Sequence, residues 1–164
     1  MSFRAAVVTV SDRSAAGTRE DLAGPLLVEA LIGAGGDVVS RTIVPDERPA
    51  IEGELRRLVD MERVTLVITT GGTGFAPRDV TPEATRAVIE REAPGLAEHA
   101  RAATLAKTRF ALLSRGIAGI RRHSLIVNLP GNPQGARDML DALLPVLPHA
   151  LSVLAKGGDE HPVS

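Results

Sequence analysis

The stretch Thr69-Thr-Gly-Gly-Thr-Gly-Phe-Ala-Pro-Arg-Asp-Val-Thr-Pro-Glu-Ala84 follows an apolar run, bares the small residues Gly71 to Gly74, and sets an acid just ahead of a helix start. Glycines in that place let backbone N–H groups approach a phosphate without interference from Cβ atoms. Asp79 then stands where a Mg²⁺ carried in by those phosphates could be held, because this cation takes one or two carboxylates and completes its shell with water and phosphate oxygens. A structural role runs alongside. Thr81 reads as a helix N-cap, Pro82 as the first helical residue and Glu83 as an acid facing the helix dipole. Capping accounts for Thr81 and Pro82 but leaves Gly71 to Gly74 and Arg78-Asp79 unexplained.

Two familiar phosphate motifs do not fit. A P-loop ends in Gly-Lys-Ser/Thr, and no lysine lies near this loop. In the dinucleotide fingerprint, Gly72-x-Gly74 would need a third glycine where Pro77 stands, and the helix begins several residues late.

Composition narrows the field further. A chain of 164 residues matches one domain with a substantial core. Its net charge of −1 and its three aromatic residues, all Phe, argue against nucleic-acid binding, which uses basic patches and stacking platforms. Cysteine is absent, which excludes disulfides, thiolate metal sites and cysteine nucleophiles. His99, His123, His149 and His161 are too dispersed for a zinc site. No apolar run approaches the length of a membrane span, and the chain enters a strand within a few residues of its start, so a cytoplasmic location is expected.

The elements that must position the loop follow from periodicity. Strands are predicted over Arg4–Val10, Val38–Val44, Val64–Thr69 and Ser124–Leu129. Helices are predicted over Asp21–Ile32, around Ile51, Leu55, Leu58 and Val59, over Thr81–Glu92, from Pro94 to about Lys107, over Gln134–Leu144, and from Pro145 or Pro148 to Gly157-Gly158. Leu112–Gly116 and Gly119–Arg122 read as irregular or short strands. Alternating strands and helices give an α/β fold, with a mostly parallel sheet covered by helices on both faces. One domain spans 1–158, and 159–164 form a flexible tail.

Ligands of such sheets bind at the carboxyl ends of the strands. Ser11-Asp12 follows the first strand, Pro45-Asp46 the second, Thr70–Gly74 with Asp79 the third, and Pro130-Gly131-Asn132 the last. One rim should therefore gather the acids Asp12, Asp46 and Asp79 and both glycine turns. Each member also has a local role open to it. Ser11 and Asp12 can cap a turn, Pro45-Asp46 can start one, and Asn132-Pro133 is a good N-cap and first-turn pair.

Taken in order, Thr9-Val-Ser-Asp12, Val44-Pro-Asp46, Thr70-Gly-Gly-Thr-Gly74, Arg78-Asp-Val-Thr-Pro-Glu-Ala84, Leu113-Ser-Arg115 with Ala118-Gly-Ile-Arg121, and Asn128-Leu-Pro-Gly-Asn-Pro133 resemble the MogA/MoaB family of molybdenum cofactor biosynthesis, related to the gephyrin N-terminal domain. The resemblance runs from about residue 4 to 156; the chain departs from it after Gly158, and at Phe75-Ala76 and Gln134-Gly135, where members vary. It implies a molybdopterin-binding α/β domain, usually trimeric. Catalytic members transfer AMP from Mg²⁺-ATP to the terminal phosphate of molybdopterin and release pyrophosphate. It further implies Asp46 and Asp79 as the catalytic acids, and the chemistry of charge neutralisation assigns Asp79 to Mg²⁺ and Asp46 to Mg²⁺ or reactant alignment as a hypothesis. Gly71, Gly72, Thr73, Gly74, Ser114, Pro130, Gly131 and Asn132 would line the nucleotide and pterin-phosphate pocket, and Ser11 and Asp12 are counted with them. The alternative within the family is a non-catalytic molybdopterin-binding or scaffold protein. A phosphate monoester is already an adequate nucleophile, so the lack of cysteine and of a Ser/His pair is no obstacle.

Overall fold

A computed structural model describes residues 2–157, so the tail expected at 159–164, with Gly158, lies outside the described residues. The elements in chain order are β1 (Phe3–Val10), α1 (Asp12–Ala15), α2 (Ala23–Gly33), β2 (Gly36–Val44), α3 (Arg48–Arg56), β3 (Leu66–Thr70), α4 (Thr81–Val88), β4 (Arg91–Glu92), α5 (Pro94–Thr104), β5 (Ala118–Arg121), β6 (Ser124–Leu129), α6 (Pro133–Leu143) and α7 (Leu147–Ala155). The strands form one six-stranded sheet in the order β2-β1-β3-β6-β5-β4. The four strands β2, β1, β3 and β6 run parallel, while β5 and β4 continue the edge antiparallel.

Strand alternation divides the core in two. Ala5 and Val7 of β1, with Leu66, Ile68, Leu125 and Val127, face a layer of Leu27 and Leu31 from α2, Leu140 and Leu143 from α6, and Leu147 and Leu151 from α7. Ala6, Val8 and Val10, with Val67 and Ile126, face Ile51 and Leu55 of α3 and Ala84 and Val88 of α4. The period-two pattern of β1 thus feeds both faces, as a strand covered on both sides must. Among the described residues no single helix is long and apolar enough to cross a membrane.

Several elements differ from the sequence reading for physical reasons. The helix expected over Thr81–Glu92 ends at Val88; Ile89 is extended, and Arg91–Glu92 pairs with β5. Glu90 N–H donates to the Ile120 carbonyl and Ala93 N–H to the Ala118 carbonyl, both at 2.8 Å, and Pro94 disfavours a helical conformation in Ala93. The helix through Ile51 and Leu58 is α only to Arg56 and widens into a π turn over Arg57–Met61; Val64 N–H then donates to Leu58 O, and the strand starts at Leu66 rather than Val64. The polar loop after β1 contains the short helix α1, with Ser11 as its N-cap.

The order of strands carries the functional geometry. From β1 the chain winds one way to β2 and the other way to β3, so the crevice outside β1 and β3 is a topological switch point, where ligands of open α/β sheets bind.

Candidate functional site

The glycine turn after β3 is locked from three sides. Gly71 N–H donates to Leu129 O at 3.1 Å, Thr81 N–H to Gly72 O at 3.1 Å, and Thr81 Oγ1 to Gly71 O at 2.9 Å. Thr81 was expected to be the helix N-cap. Instead it is the first residue of α4, wholly buried, and its hydroxyl fastens the loop; Val80 occupies the cap position with no side-chain bond. Gly71 and Gly72 both lie at positive φ, +101° and +67°, and a Cβ on Gly71 would collide with the Val10 carbonyl oxygen. Only glycine satisfies this turn.

The loop also lies directly against both predicted catalytic acids. A Cβ on Gly72 would come within 3.1 Å of Asp46 Oδ1, and one on Gly74 within 2.9 Å of Asp79 Oδ2. Asp79 Oδ2 accepts from Ala76 N–H at 2.9 Å, and Asp79 N–H donates to Ala76 O at 2.9 Å, which closes a turn that fixes the carboxylate. Asp46 Oδ2 accepts from Asp12 N–H at 2.8 Å. Burial pushes Asp46 above its ordinary value, and the charges of Asp12 and Asp79 push the same way, against the hydrogen bond from Asp12 N–H and the charge of Arg78.

Asp12 reaches the rim as expected, but its carboxylate is occupied. Arg78 Nε and Nη2 donate to Asp12 Oδ2 and Oδ1 at 2.6 and 2.9 Å, and that pairing, with the Asp46 N–H, holds its pKa below the usual range. Ser11 accepts from Ser14 N–H at 3.1 Å. On the other side, Thr70 Oγ1 donates to Pro130 O at 2.8 Å, and a Cβ on Gly131 would stand 3.3 Å from Gly71 Cα, so the two glycine turns are in close contact. Asn132 caps α6 by accepting from Gly135 N–H at 2.9 Å.

Two clefts open on this arrangement. The larger, about 800 Å³, runs from the glycine loop past Thr104, Phe110, Leu113 and Ser114 to Asp138 and Met139. The smaller, about 470 Å³, occupies the switch point between Ser11, Ser14, Arg19, Asp21 and Asp46. They share Gly72, Asp79, Gly131 and Asn132. All four residues are therefore within reach of anything that fills both.

Several residues that build the site were not singled out from sequence. Arg115 joins four points of the loop: its N–H donates to Thr73 O, Nε to Gly74 O and Nη2 to Asp79 O, each at 2.8 Å, and Nη1 pairs with Glu83 at 2.6 Å. Arg101 in turn donates to Gly116 O at 2.8 Å and holds the segment that carries Ser114 and Arg115. Asp21 accepts from Gly24 N–H, the Thr9 hydroxyl and Arg41, which together outweigh its burial and keep it ionised at the floor of the smaller cleft. The Leu113-Ser-Arg115 motif was the available signal for Arg115; nothing local marked Asp21, whose role depends on β2 lying beside β1.

Among the described residues no group of three or more metal-type side chains converges. Asp46 and Asp79 are the acids against the loop, a donor set that suits a hard cation arriving with its own phosphate ligands rather than a dedicated metal cage.

A parallel sheet with a glycine turn and carboxylates at its switch point has the layout of a ligand site of the open α/β class. The chain belongs to the family described as "MoCF_biosynth, probable molybdopterin binding domain", whose profile matches residues 6–149. It is 42% identical to a molybdopterin adenylyltransferase of Helicobacter pylori over 150 residues, 90% of this chain and 85% of that protein. It is also 42% identical over 151 residues to the molybdenum cofactor synthesis protein cinnamon of Drosophila melanogaster, but spans only 25% of that longer protein's length. The crystal structure of the molybdopterin biosynthesis enzyme MoaB from Thermus thermophilus superposes with a TM-score of 0.90 at 51% identity, covering 94% of this chain and 97% of the other.

Proposed function

We propose that this chain transfers AMP from ATP to the terminal phosphate of molybdopterin and releases pyrophosphate. The observation that carries the reading is the meeting of two clefts over Gly72, Asp79, Gly131 and Asn132. A transfer between two substrates needs both held at once with their reacting phosphates adjacent, and this junction offers that arrangement.

In the reaction, an oxygen of the pterin phosphate attacks the α-phosphorus of ATP, the bond from that phosphorus to the bridging oxygen breaks, and pyrophosphate leaves. No proton need be removed from the nucleophile, so the chain's task is positioning and charge neutralisation. Gly72, Thr73 and Gly74 offer backbone amides with no protein acceptor among the described residues, and these would meet phosphate oxygens. Asp79, with Asp46 beside it, would hold Mg²⁺. Bound there, that ion would neutralise charge on the triphosphate. Arg115 keeps the loop and Asp79 in register, and Ser114 and Asn132 flank the pterin-phosphate side. Phe110, 71% exposed on the wall of the larger cleft, offers a face for a planar heterocycle. The single domain and cytoplasmic location expected from the sequence, and the homotrimer implied by the family likeness, belong to the same proposal, and light scattering of purified protein tests the trimer.

The direct test mixes the protein with fresh molybdopterin, ATP and MgCl₂ and follows pyrophosphate and adenylylated pterin. Turnover is expected, and Asp79→Asn should lower it by at least about a hundredfold while pterin still binds. A fully active Asp79→Asn removes Asp79 from the centre. Pterin binding without AMP transfer by the wild type replaces the enzyme with a scaffold.

A further inference from the structure

The larger cleft contains an acid that the proposed transfer does not use. Asp138, on α6, lines the cleft with a side chain only 12% exposed. Its Oδ1 accepts from Gln134 Nε2 at 2.9 Å and from Lys107 Nζ at 3.1 Å. Its Oδ2 has no protein donor among the described residues. The Gln134 hydrogen bond, and after it Lys107, holds the carboxyl below the ordinary range, so Asp138 is an anion at neutral pH. Apolar surface surrounds it: Met139 and Ala111 are buried, while Phe110 and Leu113 line the wall.

A carboxylate with Oδ2 open, beside the apolar walls of Phe110, Leu113 and Met139, selects for a ligand edge rich in N–H donors. The fused ring of a pterin has such an edge, formed by the ring N3–H and the exocyclic 2-amino group. Adenine presents its amino group beside a ring nitrogen lone pair, which a second carboxylate oxygen repels. Resting on the function proposed above, we infer that Asp138 reads the 2-amino-4-oxo edge of the pterin, and so directs the pterin to the larger cleft and ATP to the switch-point cleft. A purely structural role would be the ion pair with Lys107, whose side chain is 64% exposed, and such pairs contribute little.

The test uses two small probes that differ at one position: pterin itself (2-amino-4-oxopteridine), and lumazine, in which a carbonyl oxygen replaces the 2-amino group. Fluorescence titration of the wild type should give at least about a tenfold preference for pterin, since a site built around a donor rejects an analogue that lacks it. Asp138→Asn, confirmed folded by circular dichroism, should lose that preference while its ATP affinity stays within about twofold on the same reasoning. Lys107→Met breaks the ion pair and should keep the preference. An Asp138→Asn protein that still prefers pterin, or one that loses pterin and ATP together, overturns the inference. Wild-type protein that transfers AMP to molybdopterin yet binds pterin and lumazine equally overturns it while leaving the proposed function standing. A wild type that binds no molybdopterin overturns both.

Discussion

Asp12 and Asp46 exchange hydrogen bonds: Asp12 N–H donates to Asp46 Oδ2 at 2.8 Å, and Asp46 N–H donates to Asp12 Oδ1 at 2.9 Å. Only one of the two carboxylates has a cation. Arg78 spans both oxygens of Asp12, and among the described residues no cation pairs directly with Asp46, which feels Arg78 only through its charge. The loops after β1 and β2 are thereby tied together through a matched pair whose members titrate in opposite directions, Asp12 lowered and Asp46 raised.

That asymmetry sets a pH dependence. Asp46 binds its proton more tightly in the folded chain than in the unfolded one, so its contribution to stability is complete at low pH and is lost as pH rises through its folded pKa. At neutral pH the ionised group is a net cost. In EDTA, Asp46→Asn should therefore melt above the wild type at neutral pH, and the gap should close as pH falls below about 4, the ordinary aspartate value. In the proposed transfer the group that burdens the fold would face the reacting phosphates, so the same variant should lose AMP transfer by about a hundredfold or more. Melts across the pH range, beside the pyrophosphate assay, check both halves.

Arg115 acts through what it holds. Its guanidinium reaches two carbonyls and one carboxylate at once, a fork that a lysine ammonium cannot reproduce. Arg115→Lys should lower kcat by roughly ten- to a hundredfold, as expected from small misplacements near reacting groups, and leave the pterin dissociation constant nearly unchanged. Steady-state kinetics with a separate binding titration distinguishes the two, and an unchanged kcat would show that the loop keeps its shape without the clamp.

Asn128 joins four parts of the fold from inside the core. Its amide donates to Thr69 Oγ1 at 3.0 Å and Thr85 Oγ1 at 2.9 Å, and its carbonyl accepts from Ile117 N–H at 3.2 Å. Asn128→Ala strands those partners and should cost about 1–3 kcal/mol. Urea denaturation should show a lower midpoint with an unchanged slope. Thr85→Val, which removes one of these bonds, should cost less.

The fold was largely legible because buried parallel strands and amphipathic helices leave strong periodicities, as in Ala5–Val10 and in Leu27 and Leu31. The rim was legible because each unusual loop follows a strand, so Asp46, Asp79 and both glycine turns could be brought together on topology alone. Thr81 misled because a threonine before proline satisfies capping rules, and only the return of Gly71 O to its hydroxyl reveals the other use. Arg91–Glu92 was hidden because a two-residue strand has no periodicity and is specified by its partner. Arg115, Asp21 and Asp138 are ordinary charged residues in sequence; their importance lies in acceptors and donors far along the chain.

That distance has a consequence for how the protein comes into being. Asp12 meets Arg78 across 66 residues, Thr70 meets Pro130 across 60, and Arg115 meets Glu83 across 32. Contacts of such long range form late and slowly, since chain closure must precede their reward. The junction over Gly72, Asp79, Gly131 and Asn132 is assembled from the loops after β3 and β6, so it is complete only once those strands are paired. Binding therefore counts finished molecules, and a ligand at a hundred times its dissociation constant would favour the finished state by about 2.7 kcal/mol.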